Sequence, residues 1–259
     1  MKWLKIEKIT FTNSLAERMQ YRLDLVLTAF MIGLVQIVIP LYTLLLYGVS
    51  EGFPGWGVGE ALLLASYVSL ADAISSVFFQ GIIWNTISSV RKGTMDVWLL
   101  APTNPLSYFM NRSVDVEDLG RIGMSLLMCI YALTLIEGIS VFTVLLLLGY
   151  LVVPIALYAA IAIFASAISM QYVDTYRIYD VIHTVTQLGK YPVTIFPETM
   201  RILLFTALPV AAAGYVPLAI LLQNQTALLL LSAVFVLGLL VLSVWYWHKT
   251  LKNYGSAGG

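Results

Sequence analysis

Charge is scarce in this chain. Only 11% of its 259 residues are Asp, Glu, Lys or Arg, and 60% are hydrophobic. Soluble globular domains carry about 25% charged residues, so the chain lies outside that class. Fourteen basic residues balance fourteen acidic ones, which removes the basic surplus a nucleic-acid-binding surface needs. Cysteine is nearly absent. A single Cys129, inside an apolar run, excludes an internal disulfide and any cysteine-built zinc or iron–sulfur site. No Gly-x-x-x-x-Gly-Lys-Ser/Thr stretch occurs, and Gly189-Lys190 lacks both the earlier glycine and the following hydroxyl. The chain therefore has no phosphate-cradling loop of its own. Gly-x-Ser-x-Gly and His-Glu-x-x-His are missing too, and Tyr179-Asp180 has no Gly-x-Gly-Asp partner, so the common hydrolase signatures are not assembled.

Long apolar runs are what the chain does have. A helix needs about 20 mostly apolar residues to cross a hydrocarbon core of about 30 Å. Residues 25–47, 61–83, 140–169 and 226–247 meet that length, and residues 122–136 fall short of it. Residues 172–191 carry Asp174, Arg177, Asp180, His183 and Lys190, and read as a fifth span shielded by its neighbours. Residues 192–222 are apolar but interrupted by Pro192, Pro197, Pro209, Gly214 and Pro217. Broken backbone at membrane depth survives only where protein or a watery cavity satisfies it, which predicts a re-entrant hairpin of two short helices. The reading is an all-α polytopic membrane protein, one domain over residues 1–259, with six spans.

The distribution of charge orients those spans. With the N-terminus in the cytoplasm, Lys2, Lys5, Lys8, Arg18, Arg22, Arg91, Lys92, Arg112, Arg121, Arg177, Lys249 and Lys252 all lie inside. Only Lys190 and Arg201 fall outside, and the loop 48–60 has two acids and no base. That asymmetry places both termini in the cytoplasm. The first 24 residues form no continuous apolar core, so no cleaved signal peptide is expected. Trp3, Ile6, Ile9 and Phe11 interleave with Lys2, Lys5 and Lys8, the pattern of a helix lying in the interface over residues 1–24. Trp245 and Trp247 beside His248 and Lys249 read as an aromatic anchor at the inner surface.

The loop after the second span is the most informative stretch. Thr94 can cap a short helix with Asp96 in its first turn. Met95, Trp98 and Leu99 then share one apolar face, and Pro102 and Pro105 end the helix. An amphipathic helix with an exposed tryptophan fits a protein groove, although a flat seat on lipid has the same pattern.

Gly93-Thr94-Met95-Asp96 followed by Leu99-Leu100-Ala101-Pro102 resembles the Gly-Thr-Leu-Glu…Leu-Leu…Pro signature of ABC type-2 exporter permeases. Tyr191-Pro192-Val193-Thr194-Ile195-Phe196-Pro197, continuing to Leu208-Pro209, is similar to that family's external re-entrant hairpin. The end, Tyr254-Gly255-Ser256-Ala257, is similar to the Tyr-Ser-Ser-Ala ending of a bacterial subfamily, with Gly255 in place of the usual serine. The resemblance implies that residues 91–102, with Arg91, Lys92, Gly93, Thr94, Met95, Asp96, Trp98, Leu99 and Pro102, form a coupling helix seated on an ATPase subunit. It further implies an exporter in a bacterial inner membrane, built from two permeases, identical or paralogous. ATP and Mg would be bound by the separate ATPases, and this chain would hold no cofactor.

Polar residues inside the spans complete the inventory. Ser66, Ser69, Asp72 and Ser76 recur on one face of the second span, and Asp180, His183 and Gln187 form a stripe on the fifth. Ser69, Asp72, Ser76, Asp180, His183 and Gln187 are candidate walls of a translocation path; a paired aspartate stitching helices together explains Asp72 equally well. An ion-coupled secondary transporter using Asp72, Asp180 and His183 is the alternative function. Internal repeats mark many such folds, and none is visible between the halves.

Overall fold

The computed structural model describes residues 22–100, 104–172, 175–206, 209–218 and 226–255, with positions 9, 11–13, 16 and 19. Most of the expected interfacial helix over 1–24, together with Pro102, Asp174, Leu208, residues 219–225 and the end beyond Gly255, lies outside the described residues. Within them the structure is helical, with no strand. The elements are α1 (Arg22–Gln36), α2 (Val38–Val49), α3 (Val58–Ser75), a π-helical turn (Ser76–Gln80), α4 (Gly81–Arg91), α5 (Met95–Leu99), α6 (Pro105–Arg112), α7 (Leu119–Thr134), α8 (Val141–Tyr150), α9 (Val152–Gln171), α10 (Tyr176–Gln187), α11 (Glu198–Thr206), α12 (Val210–Ala213) and α13 (Thr226–Lys252).

Four stretches are long and apolar enough to cross a membrane: Arg22–Val49, Val58–Arg91, Val141–Gln171 and Leu228–Lys252. Two of them are jointed for one reason. Pro40 is the third residue of α2 and Pro154 the third of α9. Neither has an N–H to return to the carbonyl four residues earlier, so the helix is interrupted at Ile37 and at Leu151. Val58–Arg91 is continuous through α3, the π turn and α4. Its 34 residues make a rod of about 50 Å, longer than the apolar slab it crosses.

The third apolar run is short because its helix is broken. From Pro105 to Ile136 the chain runs antiparallel along the α3–α4 rod. Asn85 Nδ2 donates to Ser113 Oγ (2.7 Å), Asp115 N donates to Val77 O (2.9 Å), and Ile136 lies against Gly59. Helical geometry lapses over residues 113–118, beside the π turn. Arg121, counted among the loop charges from sequence, is therefore inside the bundle. Lys190, counted outside, is buried near Asp72.

Apolar packing falls into two large cores and a smaller third. One gathers Leu62, Leu63, Leu64, Tyr67, Val68, Cys129, Ala132, Leu147 and Leu218; the other gathers Ile82, Ile83, Met95, Phe109, Ile163, Met170 and Trp247. Between them on the rod lie Asp72, Ser76 and Gln80. Trp247 is fully buried and its Nε1 donates to Ser166 Oγ (3.2 Å), so it is a core residue rather than an interfacial anchor. Trp245 keeps the exposed position, with Lys249 Nζ 5.0 Å from its ring centroid.

Residues 191–215 form a folded-in excursion. Tyr191 packs edge-on against Phe53 and Tyr215 against Trp56, so both limbs start and finish at the α2–α3 loop. The tip, Val210–Ala213, is wholly buried, and its Ala212 and Ala213 share the small core with Leu157 and Val236. Pro192 precedes a 3₁₀ turn (Val193–Ile195), Pro197 accepts the first bonds of α11 through its carbonyl, and Pro209 caps α12. Pro217 is buried in a further helical piece, residues 215–218. The excursion is thus more finely divided than two short helices, each proline lying just before or within the first turn of a segment, where its missing N–H has no bond to lose.

Candidate functional site

The centre of the bundle holds a charged seam between α3 and α7. Asp72 is fully buried, and Arg121 Nη2 meets its Oδ2 at 2.6 Å. The guanidinium also donates from Nη1 to Ser76 Oγ (2.9 Å) and from Nε to Gln36 Oε1 (3.1 Å), and lies 3.7 Å from Asp118 Oδ2. Ser76 Oγ in turn donates to Asp118. Gln36 Nε2 is fixed by the Ser69 carbonyl (2.9 Å), tying α1 into the seam. Gly120 makes that approach possible: a Cβ there would overlap the Ala29 carbonyl oxygen. An intramembrane carboxylate costs about 2.5–3.5 kcal/mol on insertion scales. Pairing and complete hydrogen bonding are what offset that cost.

The register is regular. Cys129 meets Ser66, Arg121 meets Asp72 and Asp118 meets Ser76, with Ser125 and Ser69 falling between. The Ser66–Ser69–Asp72–Ser76 face thus lies against protein. Gln80 carries the seam across to α10: its Nε2 donates to Asp72 Oδ1 (2.9 Å), and its Oε1 accepts from Tyr179 Oη (3.2 Å). His183 Nε2 lies 3.9 Å from Asp72 Oδ1, and Gln187 Nε2 is 3.2 Å from the same imidazole nitrogen. The π turn supplies Ser76 and Gln80 together, an irregularity often found at functional positions.

Of the candidate path residues, Ser69, Asp72 and Ser76 are buried in the seam and His183 and Gln187 lie at its edge. Asp180 is elsewhere. It is exposed on α10 with Arg177 and Thr184, and no ion pair joins it to Arg177. Arg121 and Gln36 were missed as site residues. The signal was present: Asp118, Arg121, Ser125 and Cys129 recur at helical spacing, the complement of the stripe on α3.

The segment between α4 and α6 is a compact hairpin. Gly93 has φ +63°, its N–H bonds Val90 O (3.2 Å) and Thr94 N bonds Ser89 O (2.9 Å). That paired closure at a left-handed glycine ends α4 and turns the chain back. Thr94 occupies the cap position of α5 without a side-chain cap bond. The capped helix is α6, where Asn104 Oδ1 accepts from Leu106 N (3.0 Å) and Pro105 takes the first position. Pro105 begins a helix, then, rather than only ending one. Met95 is fully buried, and Trp98 stacks on Phe109 at 4.7 Å with Arg112 5.4 Å from its ring centroid. Trp98 is held inside the hairpin and is not the exposed tryptophan expected. The free apolar side chains are Val97 (68% exposed) and Leu100 (83%), with Arg91, Lys92, Thr94 and Asp96 exposed around them.

The sequence model of one family, described as "ABC-2 family transporter protein", matches residues 27–258. The chain belongs to the ABC-2 transporter family. No curated protein and no solved structure matches it. The resemblance drawn from residues 93–102, 191–209 and 254–257 is borne out by a match that runs across all three. As an ABC-2 transporter this chain is a multi-pass membrane subunit, a transport component rather than a catalyst.

Proposed function

We propose that the chain is one permease half of an ATP-driven exporter, and that the α4–α6 hairpin is its seat on a separate ATPase that binds ATP and Mg. The hairpin carries this reading. Its inward side is anchored by Met95 and the Trp98–Phe109 stack, while Val97 and Leu100 stand out among charges. Two apolar side chains held rigidly on a helix tip, ringed by polar groups, suit a protein groove. The distribution of basic residues supports a cytoplasmic hairpin and cytoplasmic termini, in a bacterial inner membrane. Six passes then follow from α1–α2, α3–α4, α6–α7, α8–α9, α10 and α13, with residues 192–222 re-entrant from outside.

A second permease, identical or paralogous, completes the path. The supporting feature is α10, whose Arg177, Asp180 and Thr184 are exposed although Tyr179 and His183 on the same helix reach the depth of Asp72. Polar groups at that depth need water or another protein subunit beside them. Val97→Glu or Leu100→Glu is expected to abolish co-purification of the ATPase while leaving the melting temperature of the permease unchanged. Full retention of the ATPase with both substitutions would remove the assignment.

A further inference from the structure

Tyr158 on α9 points its hydroxyl into the bundle with no hydrogen-bond partner, although the residue is only 3% exposed. An orphaned buried hydroxyl is destabilising. Beside it is a cavity of about 10 Å³ lined by Gln80, Tyr158, Ile161, Ala162, Tyr179, His183 and Thr186, close to the space a single water molecule needs. The lining offers what such a molecule requires. Gln80 Oε1 accepts once, from Tyr179, and keeps a second lone pair. Thr186 Oγ1 donates to the His183 carbonyl and still accepts.

We propose that this cavity is a binding site for one structural water, which accepts from Tyr158 Oη and donates to Gln80 Oε1 and Thr186 Oγ1. It joins α9, the π turn and α10 at the level of the charged seam. The contact of α10 with the core is therefore hydrated at its centre, so α10 can shift by exchanging a solvent bond rather than by opening a dry interface.

Radiolytic footprinting of the assembled transporter in ¹⁸O-labelled water tests this directly, with Tyr67 as the dry reference. Tyr67 is 4% exposed and donates to the Leu147 carbonyl at 2.8 Å. Tyr158 is expected to take up label many-fold faster than Tyr67; equal rates would overturn the proposal. A stability measurement gives an independent reading through its sign. Tyr158→Phe is expected to lower the melting temperature by about 2–4 °C, the loss of one good hydrogen bond in a chain of this size. With Thr186→Val added, the further loss is expected to be smaller than that of Thr186→Val alone, because both side chains share one solvent molecule. An unchanged or raised melting temperature for Tyr158→Phe would mean a dry, orphaned hydroxyl and would end the idea.

Discussion

Asp72 and Asp180 are both carboxylates on helices of the bundle, and their surroundings could hardly differ more. Asp72 is sealed between α3 and α7, ion-paired to Arg121 and bonded by Gln80. Asp180 stands exposed on α10, without an ion pair among the described residues. Charge that is fully paired inside a bundle fixes how helices pack. Charge left open at membrane depth instead marks where water or another subunit must come. The seam is the fixed part of this permease, and the α10 face is the part left open.

The largest effect should come from the seam. Arg121→Leu leaves a buried carboxylate without its cation, and is expected to cost about 3–5 kcal/mol, read as a lower unfolding temperature in detergent. The double variant Asp72→Asn/Arg121→Leu should recover much of that loss, since no bare charge is left. A single substitution as mild as the double would mean that the pair contributes little to holding α3 and α7 together. Next in size is Gly120→Ala. The added methyl meets the Ala29 backbone, so α1 must move away and Gln36 must release Arg121; overpacking of this kind costs about 1–3 kcal/mol, by the same unfolding assay. Smallest in stability is Asp180→Asn, expected within about 0.5 kcal/mol of the parent, with transport in reconstituted vesicles reduced severalfold. If Asp180→Asn unfolds the protein and leaves transport per folded molecule intact, α10 belongs with the seam and the contrast fails.

Local pattern was legible in the sequence, and pairing was not. Hydropathy located every long span because each is a continuous property of twenty neighbouring residues. The prolines of residues 192–217 marked the folded-in excursion for an equally local reason, the missing N–H. Helical spacing found the Ser66–Ser69–Asp72–Ser76 face but not what covers it, because Arg121 is 49 residues from Asp72. Its charge counts with the cytoplasmic ones in the sequence, because the break at residues 113–118 hides that the chain already runs along the α3–α4 rod from Pro105. Trp98 was misjudged in the same way. An amphipathic pattern in α5 shows that one face is covered without saying that α6 covers it, and so the exposed apolar side chains there are Val97 and Leu100.

The aromatic stack at the α5–α6 end of the rod has a mechanical consequence. Trp98 lies on Phe109, Phe109 abuts Trp247, Trp247 bonds Ser166, and Ser166 shares a bond with Thr86. Five segments are thereby clamped into one foot: α5, α6, α13, α9 and α4. On the proposed function, a thrust delivered at Leu100 would find no slack there and would travel up the rod as a whole. The first place it can be converted into bending is where the rod loosens into a π turn and its antiparallel neighbour is interrupted. The Asp72–Arg121 pair sits beside that point, bonded through Arg121 to Ser76 of the turn itself.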